Sequence, residues 1–187
     1  ISEQLNGLKF TIRPKSFFQT NTIQAEILYN TAIDMLNLNG DEIIYDLYSG
    51  TGSIALSISK YCTKAIGIEQ VEDAIEDAKE NARINKIDNC HFYLGDVKSL
   101  FSIDLIEKHG TPDIIVTDPP RAGMHKDVVL NLMEAAAPTL LYISCNPNTQ
   151  ARDLKILSEK YNIEKIQPVD MFPQTHHIEN IVLLRLK

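Results

Sequence analysis

The chain predicts an α/β domain built on a mostly parallel, seven-stranded sheet with helices on both faces and an antiparallel last strand. Three observations carry that prediction. From Glu42 onward, β-branched and apolar runs alternate with helical stretches, the pattern of parallel strands joined by crossover helices. The first run empties into a glycine-rich turn, Asp46-Leu47-Tyr48-Ser49-Gly50-Thr51-Gly52-Ser53. The last two runs are joined by Asp170 to Ile178, a loop with no helical period, which allows the final strand to reverse.

Residues 1–19 hold a short strand or hairpin piece, Leu8 to Ile12, followed by Pro14 and a turn. Phe17-Phe18-Gln19 comes next, two aromatics and an amide that serve as core or as pocket wall, with core expected for at least one Phe. A helix starts near Asn21, with Gln24 three residues on as a capping-box partner. Ile23, Ile27, Leu28, Ala32, Met35 and Leu36 keep helical spacing, and Asn39-Gly40 ends the run. Strands are expected at about 43–48, 64–68, 90–95, 113–117 and 139–144, between turn signals. Helices are expected at about 53–60, 71–85, 97–108 and 126–136, the clearest being Val71 to Asn85, rich in Glu, Ala and Lys. A further helix runs from Pro147 to about Lys160, and two strands, about 163–169 and 179–186, close the chain.

Length and composition bound the function. The 187 residues suit one domain with a full-sized core. No apolar run approaches the length of a membrane span, and no signal peptide is visible. The first residue is Ile1, which reads as a piece of a longer protein. Cys62, Cys90 and Cys145 lack paired spacing, against both a disulfide framework and a structural zinc site, so reducing cytoplasm is the expected compartment. His176 and His177 have no metal-ligand spacing with any Cys or Glu and read as loop or site-shaping residues, so no metal is expected. A net charge of −7 is a poor match for gripping nucleic acid by charge alone.

Two stretches carry chemistry. Gly50-x-Gly52-x-x-Ala55 loosely satisfies dinucleotide spacing, and Glu69 ends the second strand at a distance suited to ribose hydroxyls. Asp46, Glu69, Asp96 and Asp118 close four successive strands and are expected to form a line along one sheet edge. Asp46 beside the loop would oppose a pyrophosphate, whereas a carboxylate suits an amino group and a sulfonium, which points to S-adenosylmethionine over a dinucleotide. The second stretch is Leu140-Leu141-Tyr142-Ile143-Ser144-Cys145-Asn146-Pro147-Asn148. Asn146 can cap the next helix and Pro147 suits its first turn. Cys145 then lies at the carboxyl end of a strand, where ligands bind in such sheets, and a helix dipole there can favour the thiolate.

With these residues placed, the chain resembles the catalytic domain of the RNA uracil-5-methyltransferases, within the class I S-adenosylmethionine-dependent methyltransferases. The resemblance rests on Ser16-Phe17-Phe18-Gln19-Thr20-Asn21, the glycine loop, Asp118-Pro119-Pro120-Arg121-Ala122-Gly123, Tyr142-Ile143-Ser144-Cys145-Asn146-Pro147, and Asp170-Met171-Phe172-Pro173-Gln174-Thr175-His176-His177-Ile178-Glu179. It implies a Rossmann-like fold. Residues 1–40 would form a strand and helix packed on a catalytic domain at 41–187, itself a fragment of a longer protein with an N-terminal RNA-binding domain. It also implies that RNA affinity lies largely outside residues 1–187.

For roles, the resemblance implies Cys145 as nucleophile at carbon 6 of uracil and Glu179 as the base that removes the carbon 5 proton. It implies cofactor contacts from Gln19, Tyr48, Gly50, Ser53, Glu69, Asp96 and Asp118, and substrate contacts from Gln19, Asp118 and Arg121. Relatives often carry Asn where this chain has Ser53, and Arg121 either holds Asp118 or meets an RNA phosphate. The product would be S-adenosylhomocysteine, and the substrate a uridine of rRNA more than of tRNA, handled by a monomer. Two other readings stand beside this one: a methyltransferase for an amine or small molecule, and a non-catalytic RNA- or cofactor-binding module. Asp118-Pro119-Pro120 is similar to the Asp/Asn-Pro-Pro-aromatic motif of amino-methyltransferases, but Arg121 takes the aromatic position and nitrogen needs no cysteine.

Overall fold

The computed structural model describes residues 1–175 and 177–187. A hairpin, β1 (Ser2–Leu5) and β2 (Leu8–Thr11), precedes α1 (Thr22–Leu36). The alternation then runs β3 (Ile43–Leu47), α2 (Ser53–Ile58), a 3-10 turn (Ser59–Tyr61), β4 (Lys64–Glu69), α3 (Glu72–Ile84) and β5 (Cys90–Leu94). It continues with α4 (Val97–Leu100), α5 (Ile103–His109), β6 (Ile114–Thr117), α6 (Lys126–Ala135), β7 (Thr139–Ser144), α7 (Pro147–Leu157), β8 (Tyr161–Asp170) and β9 (Ile178–Leu186). The seven-stranded sheet has the order β5-β4-β3-β6-β7-β9-β8, and β9 runs antiparallel to both neighbours. This is the fold class the alternation predicts.

Strand alternation sorts the sheet's side chains into two cores. Ile44, Ala65, Phe92, Val116, Leu141, Ile143, Ile181 and Leu183 meet α1, α2, α3 and the hairpin residues Leu5 and Phe10. Tyr45, Ile66, Ile68, Ile115, Leu140, Tyr142, Val182 and Leu184 meet the helices from Val97 to Leu157. Near-continuous burial along β3, β4, β6 and β7 follows from helices on both faces.

Two local expectations are corrected, and the expected cap of α1 gains a second partner. The first helix stops at Leu36, with Asn37 in the left-handed region at φ 51°. Asn39-Gly40 instead belongs to a turn, because the Glu42 carboxylate accepts both N–H groups at 2.8 and 2.9 Å. The helix expected at 97–108 is two short helices. Phe101 leaves helical geometry to sink its ring into the core, and the chain restarts from extended Ser102. Asn21 does accept the Gln24 N–H at 3.3 Å, yet its amide donates to Met171 O at 2.9 Å and so ties α1 to the loop after β8.

Gly67 in β4 shows how closely this core is filled. A Cβ there would lie 2.5 Å from Phe92 Cδ1 and 2.8 Å from Ser49 Oγ. Gly67→Ala is expected to destabilise the chain by about 1–3 kcal/mol, read as a lower urea midpoint at unchanged slope.

Candidate active site

The same alternation builds the site. Asp46 shares a face with Ile44, Glu69 with Ala65 and Gly67, Asp118 with Ile114 and Val116, Cys145 with Leu141 and Ile143, and Glu179 with Ile181 and Leu183. Four carboxyls and a thiol therefore gather at one edge of the sheet, on the α1–α3 side, Glu179 from the start of antiparallel β9 and the others from the carboxyl ends of parallel strands. All but Asp46 border a cavity of about 380 Å³, within the range of small-molecule sites. Its wall includes Phe17, Phe18, Gln19, Tyr29, Tyr48, Ser49, Gly50, Thr51, Ser53, Glu69, Gln70, Val71, Asp118, Pro119, Pro120, Arg121, Cys145 and Glu179.

One end is the glycine loop. Tyr48, Gly50 and Gly52 all have left-handed φ, at 68°, 53° and 80°. For Tyr48 that conformation is strained, and the Ser49 N–H bond to Ile68 O at 2.9 Å helps to hold it. Glu69 organises the loop from beneath. One oxygen accepts the Gly50 N–H at 3.0 Å, and the other accepts Gln70 and Val71 N–H at 2.7 and 2.9 Å. Asp46 lies under the first turn of α2, fully buried, and accepts Ala55 N–H at 3.0 Å. Burial pushes its carboxyl up to about 7, with the Glu69 charge adding to the rise and the Ala55 bond opposing it.

The other end gathers Gln19, Tyr29, Asp118, Arg121, Cys145 and Glu179. The β7–β9 register pairs Ser144 with Asn180, so one step further 145 stands opposite 179. Gln150 on α7 fastens this junction. Its amide donates to Tyr142 O and Asn180 O at 2.9 and 3.0 Å and accepts from the Asn180 side chain at 2.7 Å. The loop carrying Arg121 is pinned to the turn after Cys145, since Asn146 and Thr149 side chains donate to Arg121 O at 3.1 and 3.2 Å.

Burial raises the Glu179 carboxyl to about 7, against a small lowering from Gln19. Burial, with the charges of Glu179 and Asp46, holds Asp118 well above the ordinary carboxylate value. The Cys145 thiol is exposed but is also pushed up, by desolvation first and then by Glu179 and Asp118, with Arg121 opposing. The expected thiolate bias from the helix dipole is therefore corrected: desolvation, with Glu179 and Asp118, shifts the thiol the other way. The Tyr29 hydroxyl, 3.1 Å from Ser53 Oγ, is raised by burial and by Asp118. Among the described residues, five side-chain atoms are buried without hydrogen-bond partners: Asn6 Nδ2 in the hairpin turn, and Asp46 Oδ1, Ser49 Oγ, Thr51 Oγ1 and Glu179 Oε2. Ser49, Thr51 and Glu179 line the cavity, and Asp46 lies behind the glycine loop.

Nine of the residues singled out from sequence meet at this cavity: Gln19, Tyr48, Gly50, Ser53, Glu69, Asp118, Arg121, Cys145 and Glu179. The expected line of four strand-end acids is not what forms. Asp46 is inside β3 and sits behind the loop. Asp96 is exposed, outside the wall, and caps α4 by accepting Lys98 N–H at 2.9 Å. Among the described residues Arg121 makes no ion pair with Asp118. Phe18 packs on Phe10, with ring centroids 5.5 Å apart, whereas Phe17 is 72% exposed at the cavity mouth. Tyr29 escaped the sequence reading because it shares the helical stripe of Ala25, Ala32 and Leu36; its hydroxyl, which needs a buried partner, was the available signal. His176 lies outside the described residues.

The fold and the glycine loop define a class I methyltransferase core. A precorrin-6y C5,15-methyltransferase from Geobacter metallireducens shares that fold at TM-score 0.72 and 13% identity, over 94% of this chain and 93% of that one. Residues 4–187 match the family described as tRNA (uracil-5-)-methyltransferase, and the chain belongs to that family. An uncharacterized RNA methyltransferase of Bacteroides thetaiotaomicron is 54% identical over 185 residues, 99% of this chain and 41% of that protein. The solved tRNA (uracil-54, C5)-methyltransferase of Pyrococcus abyssi, in complex with S-adenosyl-L-homocysteine, is 36% identical at TM-score 0.85, over 98% of this chain and 44% of that one. The chain spans 40–41% of the length of three curated relatives that it matches.

The raised carboxyls fix a sign for stability. Between 4.5 and about 7, Glu179 keeps in the folded chain a proton that it has lost in the unfolded one. Its contribution is present in acid and is lost as pH rises through about 7. Urea unfolding between about pH 4 and about pH 8 should show the wild type losing stability relative to Glu179→Gln. A pH-independent difference would contradict the raised value.

Proposed function

We propose that this chain transfers a methyl group from S-adenosylmethionine to carbon 5 of a uridine in RNA, through a transient bond between Cys145 and carbon 6 of the base. The observation that carries the reading is the convergence of Cys145, Glu179, Asp118 and Gln19 on one cavity that opens onto the glycine loop.

The residues present fit the cofactor. Carboxyls crowded behind one wall, three of them held above ordinary carboxylate values, favour a ligand that brings positive charge, and the partnerless oxygens favour one that brings donors. Glu69 is assigned to the ribose hydroxyls, and Gln19, Tyr48, Gly50, Ser53 and Asp118 to the remaining contacts. Asp96 is left out because it lies off the wall. When bound, the cofactor supplies an electrophilic methyl group and leaves as S-adenosylhomocysteine.

The chain's own groups do the rest. Cys145 Sγ, as thiolate, adds to carbon 6, and the electron pair of the 5,6 double bond moves to carbon 5, which becomes the nucleophile. Once carbon 5 carries the methyl group, a Glu179 carboxylate oxygen takes its proton. The electrons of that C–H bond restore the double bond and the carbon–sulfur bond breaks, returning the thiolate. A carboxyl near 7 suits a base working at neutral pH. Gln19 and Asp118 hold the uracil edge, and exposed Arg121 meets an RNA phosphate. Substrate must be flipped out of any stack to reach a cavity of this depth.

We assign the uridine to rRNA on the motif likeness; the Pyrococcus abyssi relative, named for tRNA, favours tRNA as the second reading. RNA affinity is assigned mainly to parts of the protein outside these residues, given the net charge of −7. We place the activity in the cytoplasm, with the protein as a monomer. Its three cysteines are free thiols, which a reducing compartment preserves, and among the described residues no helix is long and apolar enough to cross a membrane.

Mass spectrometry of the full-length protein with 5-fluorouridine RNA and cofactor tests the proposal. Fluorine at carbon 5 leaves no proton for Glu179, so a covalent adduct on Cys145 is expected, and none in Cys145→Ala. No adduct in the wild type overturns the mechanism. On ordinary RNA, Glu179→Gln should accumulate methylated adduct and turn over about 10²–10⁴-fold more slowly; normal turnover removes the base assignment. Mapping 5-methyluridine in rRNA and tRNA from cells lacking the protein separates the two substrates.

A further inference from the structure

One row of buried polar side chains lies outside the chemistry described so far. Asp77 and Asn81 on one face of α3, and Asn85 at its C-cap, stand four residues apart, and the first two are fully buried. They bond in sequence to alternate residues along β2 and its continuation. The Asn85 side chain accepts Lys9 N–H at 2.9 Å and donates to Lys9 O at 2.7 Å. The Asn81 side chain accepts Thr11 N–H at 2.7 Å and donates to Thr11 O at 3.3 Å. Asp77 accepts Arg13 N–H at 2.8 Å, the Arg13 guanidinium at 2.7 Å and the Ser16 hydroxyl at 2.6 Å.

The spacing explains why a helix can do this. Four helical residues advance about 6 Å and two strand residues about 6.6 Å, so side chains one turn apart keep step with every second strand residue. The row completes the edge of β2 that faces away from β1. It fixes register, which the apolar contacts of Ala74, Ile75 and Ala78 with the core do not.

Both ends of the cavity depend on that register. Arg13 and Ser16 immediately precede Phe17-Phe18-Gln19 in the wall. The Asn81 amide that holds Thr11 O also donates to Thr51 O, at 3.2 Å, in the glycine loop. One side chain thus joins the end of β2, which leads directly into the strap that carries Gln19, to the glycine loop.

We propose that Asp77 and Asn81 are positioning residues which hold the 13–19 strap in register with the 49–53 loop and so set the cavity for cofactor binding; this rests on the proposed function. Asn85, at the outer end, serves as an anchor remote from the cavity.

The test uses the full-length protein, with S-adenosylhomocysteine as calorimetric probe and amide hydrogen exchange as a ligand-free readout. Asp77→Ala should raise Kd about tenfold, with partial rescue in Asp77→Asn, which keeps an acceptor for the Arg13 and Ser16 donors. Asn85→Ala also loses a pair of hydrogen bonds and should lower Tm, yet leave Kd within about twofold. Asn81→Ala should speed exchange both in the strap and in the glycine loop. Should Asp77→Ala fail to fold, Ser16→Ala removes one bond of the row and should still weaken binding. The proposal is overturned if Asp77→Ala and Ser16→Ala leave Kd unchanged, if Asn85→Ala weakens it as much as Asp77→Ala, or if Asn81→Ala speeds exchange in one segment only. A wild type that does not bind S-adenosylhomocysteine counts against the proposed function, and the exchange experiment then decides the positioning role by itself.

Discussion

The antiparallel insertion of β9 between β7 and β8 places residue 179 beside residue 145, and the chemistry of the pocket depends on it. In a purely parallel sheet the next strand would enter at the opposite end, and an acid at its start would lie far from the thiol. Reversal puts the first residues of β9 at the carboxyl edge of β7. The hydrogen bonds between Gln150, Tyr142 and Asn180 then keep the edge from slipping. A slip of one residue would turn Glu179 to the other face.

That placement crowds acidic groups around Cys145 and the glycine loop. Burial raises Asp46, Asp118 and Glu179, and neighbouring carboxylate charge raises Asp46 and Asp118 further. Asp46, Asp118 and Glu179 therefore hold their protons more readily than exposed carboxyls do. The thiol is held protonated for the same reason. Positive charge entering this cluster would shift Asp46, Asp118, Glu179 and Cys145 together and so link ligand binding to their ionisation. Arg121, on a loop pinned to the turn after Cys145, is the cation that opposes the carboxyls at the thiol.

The α1–α3 side of the sheet carries the remaining organisation. Residues 1–40 share one core with the sheet, so the strap that bears Gln19 is part of the pocket and not an appendage. Buried polar groups are costly unless paired, and the Asp77-Asn81-Asn85 row is paired with backbone at Asn81 and Asn85 and with backbone and the Arg13 and Ser16 side chains at Asp77. Directional bonds of that kind hold a wall where apolar packing would let it slide.

The sequence by itself determined the periodicities, and with them the element types, the faces of the strands and most of the residues that line the candidate site. Cys145 at a strand end, Glu69 after the second strand and the glycine loop were legible because each is a local pattern, and the motifs around Asp118 and Glu179 marked the rest. Tertiary structure decided depth and adjacency. It buried Asp46, left Asp96 at the surface, sent the Tyr29 hydroxyl into the pocket, broke a helix at Phe101 and paired α3 with β2. It also turned the expected bias of the Cys145 thiol, because burial and carboxyls distant in the chain, Glu179 and Asp118, all disfavour its charge. The physical reason is common to all of these. A period of two or of 3.6 states which face a side chain occupies, whereas its environment depends on neighbours that only strand order and register bring together.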